Sequence, residues 1–411
     1  MSQRPRYFPD ESDTAALRPF TPGFGRTPPF LAGRRSLIEE LCAGLDAGPD
    51  DPRSISVLLG ARGMGKTVVL NEVEDAAAVE RGWVTLAVAG TDGDPLVEIH
   101  KAVLRARSAL DQQATLPAQS RRSTGMKFGA AAFGAGVELG ATWDIDPAAA
   151  APPSSRLGDG LRYDLTDLAS SVADRGGRVL VTLDEMHAVP AAHMRRLGSV
   201  LQHVVMREGR AVAFVGAALT YVVDTLLSHR SAATFLSRAP RLHVTLLHED
   251  DVELGLSEPV RRHGGTFDRA ALGEAAAAVR GHPYLLQLVG AHAWQAAAGA
   301  AGAGRRIGLG HVREAVRRAR LELDEHLMRP SWNALSETDR RFVLAMAVDD
   351  GPSEVARLRQ RLGMSSQQAN AYRHRLILSG MVRPAGRGRL AFAYPETKNW
   401  LASSVAGHEV S

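Results

Sequence analysis

The residues best suited to chemistry stand in a glycine-rich run of eight. Spaced glycines let backbone N–H groups wrap around phosphates, and the start of a helix adds a favourable dipole. We expect Lys66 to neutralise the β- and γ-phosphates and the Thr67 hydroxyl to bind Mg²⁺. The run therefore predicts a site for ATP with Mg²⁺. Its residues are Gly60, Ala61, Arg62, Gly63, Met64, Gly65, Lys66 and Thr67.

Two carboxylates follow a mostly apolar stretch at 178–183. The apolar stretch predicts a buried strand. The strand ends in Asp184 and Glu185. Carboxylates at this place suit phosphate chemistry, since Asp184 would hold the Mg²⁺ shell and Glu185 would orient or deprotonate the attacking water. His187 lies close by, and a single histidine near a loop more often has a structural role.

Alternating strands and helices must position these groups. An apolar stretch at 55–59 runs directly into the glycine run, and an amphipathic helix follows it. The same alternation continues to about residue 227 and predicts a parallel, doubly wound sheet. The stretch at about 118–155 interrupts it, because it is Gly-rich and then low in complexity. We interpret that stretch as a hairpin-like insertion with a flexible link.

The chain divides into four parts by pattern. An arm rich in Pro, Gly and charge comes first, and helical periodicity without strands follows the strand-helix region. The last part has three helices and a Gly386-Arg387-Gly388 turn between short strands, the order of a winged helix-turn-helix. The predicted parts are the arm at 1–28, an α/β P-loop ATPase domain at 29–245, a helical lid with a linker helix at 246–329, and a winged helix domain at 330–411.

The combined motifs resemble those of AAA+ and STAND ATPases, above all the bacterial and archaeal group related to origin-recognition initiators. The resemblance spans about residues 28–400. The run at 29–34 looks like the adenine-side entry motif, and the one at 281–284 looks like the GxP turn of STAND lids. The resemblance implies that Leu31 and Pro283 lie near adenine. A helix stop followed by a Pro-initiated helix would also produce the second pattern.

The chain departs from the family pattern at its fourth strand, 212–218, where AAA+ members usually carry a polar sensor residue. Thr220 is the nearest polar candidate and lies late. This favours the STAND side of the resemblance and argues against fast, ring-type hydrolysis. Arg238 and Arg241 stand where the family places an arginine that reaches a neighbour's γ-phosphate, which implies a homo-oligomer or another protein partner. A plain surface role for both arginines remains open.

The last domain offers candidate contacts to double-stranded DNA. Its third helix, at about 365–378, carries Gln, Asn and Arg, which are residue types that read base edges or phosphates. We expect Arg373 and Arg375 on this helix and Arg387 in the wing to bind DNA. Winged helices also serve as protein-docking modules, and the basic excess of this domain is modest.

The composition of the chain indicates the cellular compartment in which we expect the protein. A single cysteine, Cys42, excludes an intrachain disulfide, and no stretch has the apolar length of a membrane span. With no signal-peptide pattern at the start, we expect a cytoplasmic protein without membrane contact. We predict a nucleotide-dependent switch that controls assembly or partner binding and hydrolyses ATP. The alternatives are an ATP-licensed DNA-binding protein of initiator or regulator type, and an ATP-binding scaffold with little turnover.

Overall fold

The computed structural model describes residues 18–23, 25–115, 126–129, 157–207, 212–220, 234–299, 304–394 and 397–404. Its largest unit is built around a six-stranded parallel sheet with the order β3-β2-β4-β5-β1-β6. Among the described residues, no helix has both the length and the apolar character needed to cross a membrane. The strands are β1 (Ile55–Leu59), β2 (Val84–Ala89), β3 (Met126–Gly129), β4 (Val179–Asp184), β5 (Val212–Ala218) and β6 (Arg241–His243).

Helices cover both faces of this sheet because side chains alternate between faces along each strand. Leu58 and Leu180 point to one face and pack against α1 and α2, whereas Val57 and Val181 point to the other and pack against α3, α4 and α5. This architecture confirms the predicted α/β doubly wound sheet. The helices are α1 (Arg35–Ala47), α2 (Lys66–Asp75), α3 (Pro95–Thr115), α4 (Leu157–Ala173), α5 (Ala191–Gln202) and the short α6 (Thr234–Ser237).

The interrupting stretch, which we expected to form a hairpin-like insertion, is described only at residues 126–129, and the rest of the expected hairpin lies outside the described residues. The described part, β3, pairs in parallel with β2 at the edge of the sheet, with Met126 opposite Val84. Parallel pairing joins segments that are distant in sequence, so a local alternating pattern does not reveal it. The low-complexity link and the helix expected at 221–227 lie outside the described residues.

The lid is a helical unit with its own apolar core, which includes Val252, Leu256, Leu288 and Ile307. We expected the strands to stop at about residue 250, but two short parallel strands pair with each other inside the lid. Each has only three residues, too few for a periodic signal. The elements are α7 (Glu249–Arg262), β7 (Gly265–Phe267), α8 (Arg269–Val279), α9 (Pro283–Ala296), β8 (Arg305–Ile307) and α10 (Leu309–Leu323).

The C-terminal unit, residues 329–404, packs three main helices against a three-stranded antiparallel sheet of order β10-β11-β9. Phe342, Leu358 and Leu376 form the centre of its core. The winged-helix assignment of this unit stays a prediction. The elements are α11 (Arg329–Asn333), α12 (Glu337–Ala347), β9 (Ser353–Glu354), α13 (Val355–Leu362), α14 (Ser366–Leu378), β10 (Val382–Pro384), β11 (Arg389–Phe392) and α15 (Thr397–Ser404).

Candidate functional site

The glycine run, residues 60–67, forms the loop after β1 and the first residues of α2. Gly63 and Gly65 have φ values of 73° and 86°, a left-handed conformation that favours glycine. Lys66 is buried, and its Nζ donates to the carbonyl of Ala61 at 3.0 Å. Burial lowers the pKa of Lys66, while the carboxylates of Glu185 and Asp184 act to raise it. We call this segment the phosphate loop.

The sheet brings Asp184 to the phosphate loop because β1 and β4 both end at the same edge, on either side of β5. The Thr67 hydroxyl donates to Asp184 Oδ2 at 2.6 Å, and the backbone N–H of Glu185 donates to Asp184 Oδ1 at 2.7 Å. Burial raises the pKa of Asp184, and the bond from Thr67 opposes that rise. A hydroxyl and a carboxylate side by side are hard oxygen ligands that fit Mg²⁺.

Glu185 turns away from the strand in a left-handed conformation, with φ of 50° and ψ of 37°. Its carbonyl lies so near Gly90 that a Cβ there would approach it to 2.5 Å, so the close packing depends on that glycine. His187 Nε2 lies 2.8 Å from Glu185 Oε2. Burial acts to raise the pKa of Glu185, but the bond from His187 and nearby positive charges outweigh it and lower the pKa. The carboxyl group is therefore ionised at neutral pH.

A cavity of about 350 Å³ opens beside the phosphate loop. Lys66, Thr67 and Glu185 line it, together with Leu31 before α1 and Pro283 at the start of α9. The structure thus brings the two residues of the entry and GxP motifs to the same cavity as the phosphate loop. The loop residues that also line it are Arg62, Gly63, Met64 and Gly65.

The same cavity is also lined by residues that no sequence motif indicated. Thr21 and Arg26 come from the arm, Gln287 from the lid and Tyr394 from the C-terminal unit. No motif marks these positions, because their proximity depends on how separate units pack. The arm spacing of Pro and Gly indicated an extended segment, but not its course along the cavity.

His282 connects the phosphate loop to the C-terminal unit. Its ring is fully buried and stacks on Tyr394 with centroids 4.8 Å apart. A Cβ at Gly63 would come within 2.7 Å of His282 Cε1, so the ring also packs against the phosphate loop. Neither ring nitrogen has a hydrogen-bond partner among the residues that the structure describes. The lid, the loop and the C-terminal unit therefore meet at one histidine.

The remaining predicted residues lie away from the cavity. Arg238 is exposed just after α6 and does not line it. Arg375 holds the buried carboxyl group of Asp339 at 2.9 Å, so part of its role is internal to the C-terminal unit. Arg373 is partly buried on α14, whereas Arg387 is exposed in the turn between β10 and β11.

Comparison with known families agrees with this geometry. Residues 31–215 match the model of the AAA ATPase domain. Residues 325–401 match a domain of unknown function, DUF8462. A search of curated proteins found no match to this chain.

Among the solved structures that share the fold, two illustrate a likeness over nearly the whole chain. The Walker-type ATPase paby2304 of Pyrococcus abyssi has 14% identity and a TM-score of 0.63, covering 95% of this chain and 99% of that one. The ORC2 protein of Aeropyrum pernix, solved as ADPNP-ADP complexes, has 15% identity and a TM-score of 0.56, covering 95% and 98%. At these identities the likeness concerns the fold alone. It confirms the predicted P-loop NTPase fold.

Proposed function

We propose that this protein is a nucleotide-dependent switch, which binds ATP in the cavity beside the phosphate loop and hydrolyses it. The observation that carries the proposal is the composition of the cavity wall. Lys66 of the AAA ATPase domain, Pro283 of the lid and Tyr394 of the C-terminal unit all line one space. A nucleotide there contacts all three units, so ATP and ADP stabilise different arrangements of them.

The residues in and beside the cavity have separate chemical roles. Lys66 would neutralise the terminal phosphates, and the Thr67 hydroxyl and the Asp184 carboxylate would hold the divalent cation. Mg²⁺ supplies positive charge to the phosphate oxygens when it is bound. Glu185, kept ionised by its bond to His187, accepts a hydrogen bond from the attacking water and orients it. His187 acts as a positioning residue for this carboxylate.

A scaffold with slow turnover is the second candidate, favoured by the end of β5. Gly216, Ala217 and Ala218 are all buried there and carry no polar side chain. A sensor that contacts the γ-phosphate from this strand is therefore missing, and part of the transition-state stabilisation with it.

Steady-state ATP hydrolysis by the full chain decides between switch and scaffold. We expect Lys66→Ala to abolish nucleotide binding, because it removes the charge that faces the phosphates. Glu185→Gln should bind ATP normally and lower the turnover number by about 100-fold or more, the usual size of general acid-base effects. Glu80→Gln, at the end of the helical stretch that follows α2, serves as a matched control. Equal turnover in wild type and Glu185→Gln would contradict the catalytic role and leave the scaffold.

A DNA-binding function is favoured by exposed polar and basic side chains on the C-terminal unit. Gln367, Gln368 and Asn370 on α14 are exposed, as is Arg387 at the tip of the β10–β11 turn. These residue types contact bases and phosphates from a helix and a wing.

Titration with labelled duplex DNA at two salt concentrations, with ATP and Mg²⁺ present, tests this function. Arg387→Ala should weaken binding and reduce the log-log salt slope by about 0.9 for the lost phosphate contact. Arg306→Ala, an exposed arginine of the lid, is the matched control and should leave both unchanged. Absence of binding by wild type at low salt would exclude the DNA-binding function. Arg375 is unsuitable for this test because Asp339 depends on it.

A further inference from the structure

Arg62 is the third residue of the phosphate loop, and it lines the nucleotide cavity. The residue is exposed, and its guanidinium makes no hydrogen bond or ion pair with the residues that the structure describes. A Cβ at Gly380 would come within 2.9 Å of Arg62 Cδ, so the aliphatic stem lies along the turn between α14 and β10. The C-terminal unit therefore covers the stem, while the charged head remains available at the cavity.

The positive charge of Arg62 acts on groups that would face the phosphates. Burial dominates the pKa of Lys66 and of Tyr394, and the Arg62 charge acts to lower both. The pKa of Glu185 depends first on burial and on the bond from His187, and Arg62 again acts to lower it. One cation thus lies near Lys66 and Glu185 together. In the proposed function these two residues flank the γ-phosphate, so Arg62 lies on the γ side of the site.

Among the described residues, two further arginines line the cavity, Arg26 and Arg34. Arg34 is buried, and its guanidinium donates to the carbonyl of Met64 at 3.1 Å and to that of Thr245. These bonds join the phosphate loop to the segment after β6. The Arg34 side chain therefore has a structural role.

Arg26 belongs to the arm, which is anchored where Phe20 is buried against α9. A Cβ at Gly290 would come within 2.4 Å of the Phe20 ring. Further along the arm, a Cβ at Gly23 would lie 3.0 Å from Arg26 Cδ, so the Arg26 stem folds back along the arm itself. Arg62 is thus the arginine of the described wall that is best placed to meet the γ-phosphate.

We propose that Arg62 binds the γ-phosphate of ATP in its own chain and stabilises the charge that develops there during hydrolysis. In this reaction a water oxygen bonds to the γ-phosphorus as the bond to the bridging oxygen breaks, which gives ADP, inorganic phosphate and a proton. Negative charge is spread over the phosphoryl oxygens, and a planar guanidinium can donate two hydrogen bonds to them. Arg62 supplies these bonds within one chain, whereas Arg238 lies away from the cavity.

This inference rests on the proposed function, since it adds a residue to the same site. It also gives a physical reason for hydrolysis without a polar residue at the end of β5, where Gly216, Ala217 and Ala218 are buried. A preorganised donor aimed at developing charge typically raises turnover by about 100- to 1,000-fold. Because solvent screens the exposed guanidinium of Arg62, we expect the lower value.

Titration calorimetry of the full chain compares ADP with the β,γ-imido analogue of ATP, which is not hydrolysed, each with Mg²⁺. Arg62→Gln keeps much of the stem that packs on Gly380 and removes the charge, so it should weaken binding of the analogue about 10-fold and leave ADP binding unchanged. Arg62→Lys restores the charge without the planar fork and should recover part of the loss. Arg341→Gln, at an exposed arginine of α12, is the matched control and should bind both nucleotides as wild type does.

Turnover in mixed samples tests whether Arg62 acts within its own chain. Arg62→Gln should lower the turnover number about 100-fold. Chains carrying Arg62→Gln are then mixed with chains carrying Glu185→Gln. If each site uses its own arginine, neither kind of chain has a complete site and the mixture stays inactive. An arginine that reaches a neighbour's site would restore activity in the mixture, and that recovery would overturn the assignment to the same chain.

The outcomes separate the two proposals. If folded Arg62→Gln keeps the wild-type ratio of analogue to ADP affinity, the assignment of Arg62 is overturned, while loss of binding in Lys66→Ala shows that the nucleotide site stands. If wild type binds neither nucleotide, both proposals fail. A lower ratio in Arg62→Gln, with circular dichroism like that of wild type and no recovery in the mixture, supports the assignment.

Discussion

The buried His282 makes the contact between phosphate loop, lid and C-terminal unit sensitive to acid. Burial, with the positive charge of Arg383 nearby, lowers the pKa of His282 from 6.5 to about 3. Below pH 6.5 the unfolded chain takes up a proton that the folded chain does not, so stability is complete above pH 6.5 and falls as the pH drops towards 3. The loss is about 1.4 kcal/mol per pH unit, or about 2 kcal/mol at pH 5.

Urea unfolding followed by circular dichroism at pH 7.5 and pH 5.0 measures this loss. Many other groups titrate in the same range, so the informative quantity is the difference between wild type and a non-titrating variant. His282→Gln and His282→Phe both remove the proton site, one at smaller and one at larger side-chain volume. Either variant has lower stability at pH 7.5 for packing reasons, but that loss is independent of pH.

We expect wild type to lose about 2 kcal/mol more than either variant between the two pH values. A difference below about 0.5 kcal/mol for both variants would refute the reasoning, because His282 would then titrate equally in the folded and unfolded chains. Agreement between the two variants guards against an effect of side-chain volume.

Three further substitutions have definite expected results. Gly63→Ala should weaken ATP binding in calorimetry, because its φ of 73° is strained for alanine and the new methyl group meets a histidine ring; wild-type affinity would contradict this. Gly290→Ala should expel Phe20 and expose the arm to limited proteolysis, and an unchanged cleavage pattern would count against the anchored arm. Arg375→Ala should lower the melting temperature by leaving Asp339 buried without its ion pair, whereas an unchanged melting temperature would argue against that role.

Two parts of the site could be predicted from the sequence, because short runs of adjacent residues mark them. The phosphate loop and the carboxylates after β4 depend on short runs with a fixed strand and helix context. The doubly wound sheet follows from the alternation of those elements, since parallel strands need helical crossovers. Their ends meet at one edge of the sheet, which places Asp184 beside Thr67.

The remainder of the site depends on packing between units. Thr21 and Tyr394 stand in segments without motifs, and only the docking of the arm and the C-terminal unit brings them to the cavity. His187 contacts Glu185 because of the left-handed turn at Glu185, a conformation that a non-glycine residue rarely adopts and sequence patterns do not indicate. Arg375 carries a charge that suits DNA, but its pairing with Asp339 depends on the tertiary fold.

Hydrogen-deuterium exchange of the full chain tests the switch most directly. Glu185→Gln should hydrolyse ATP too slowly to leave the ATP-bound state during the measurement. Exchange of this variant is therefore compared with Mg²⁺-ATP, with Mg²⁺-ADP and without nucleotide. Lys66→Ala, which should not bind nucleotide, is the control. We predict that amides at 381–394 of the C-terminal unit exchange at different rates with ATP and with ADP, and that Lys66→Ala shows no such difference. Protection of the phosphate loop by both nucleotides, with identical exchange at 381–394, would contradict it.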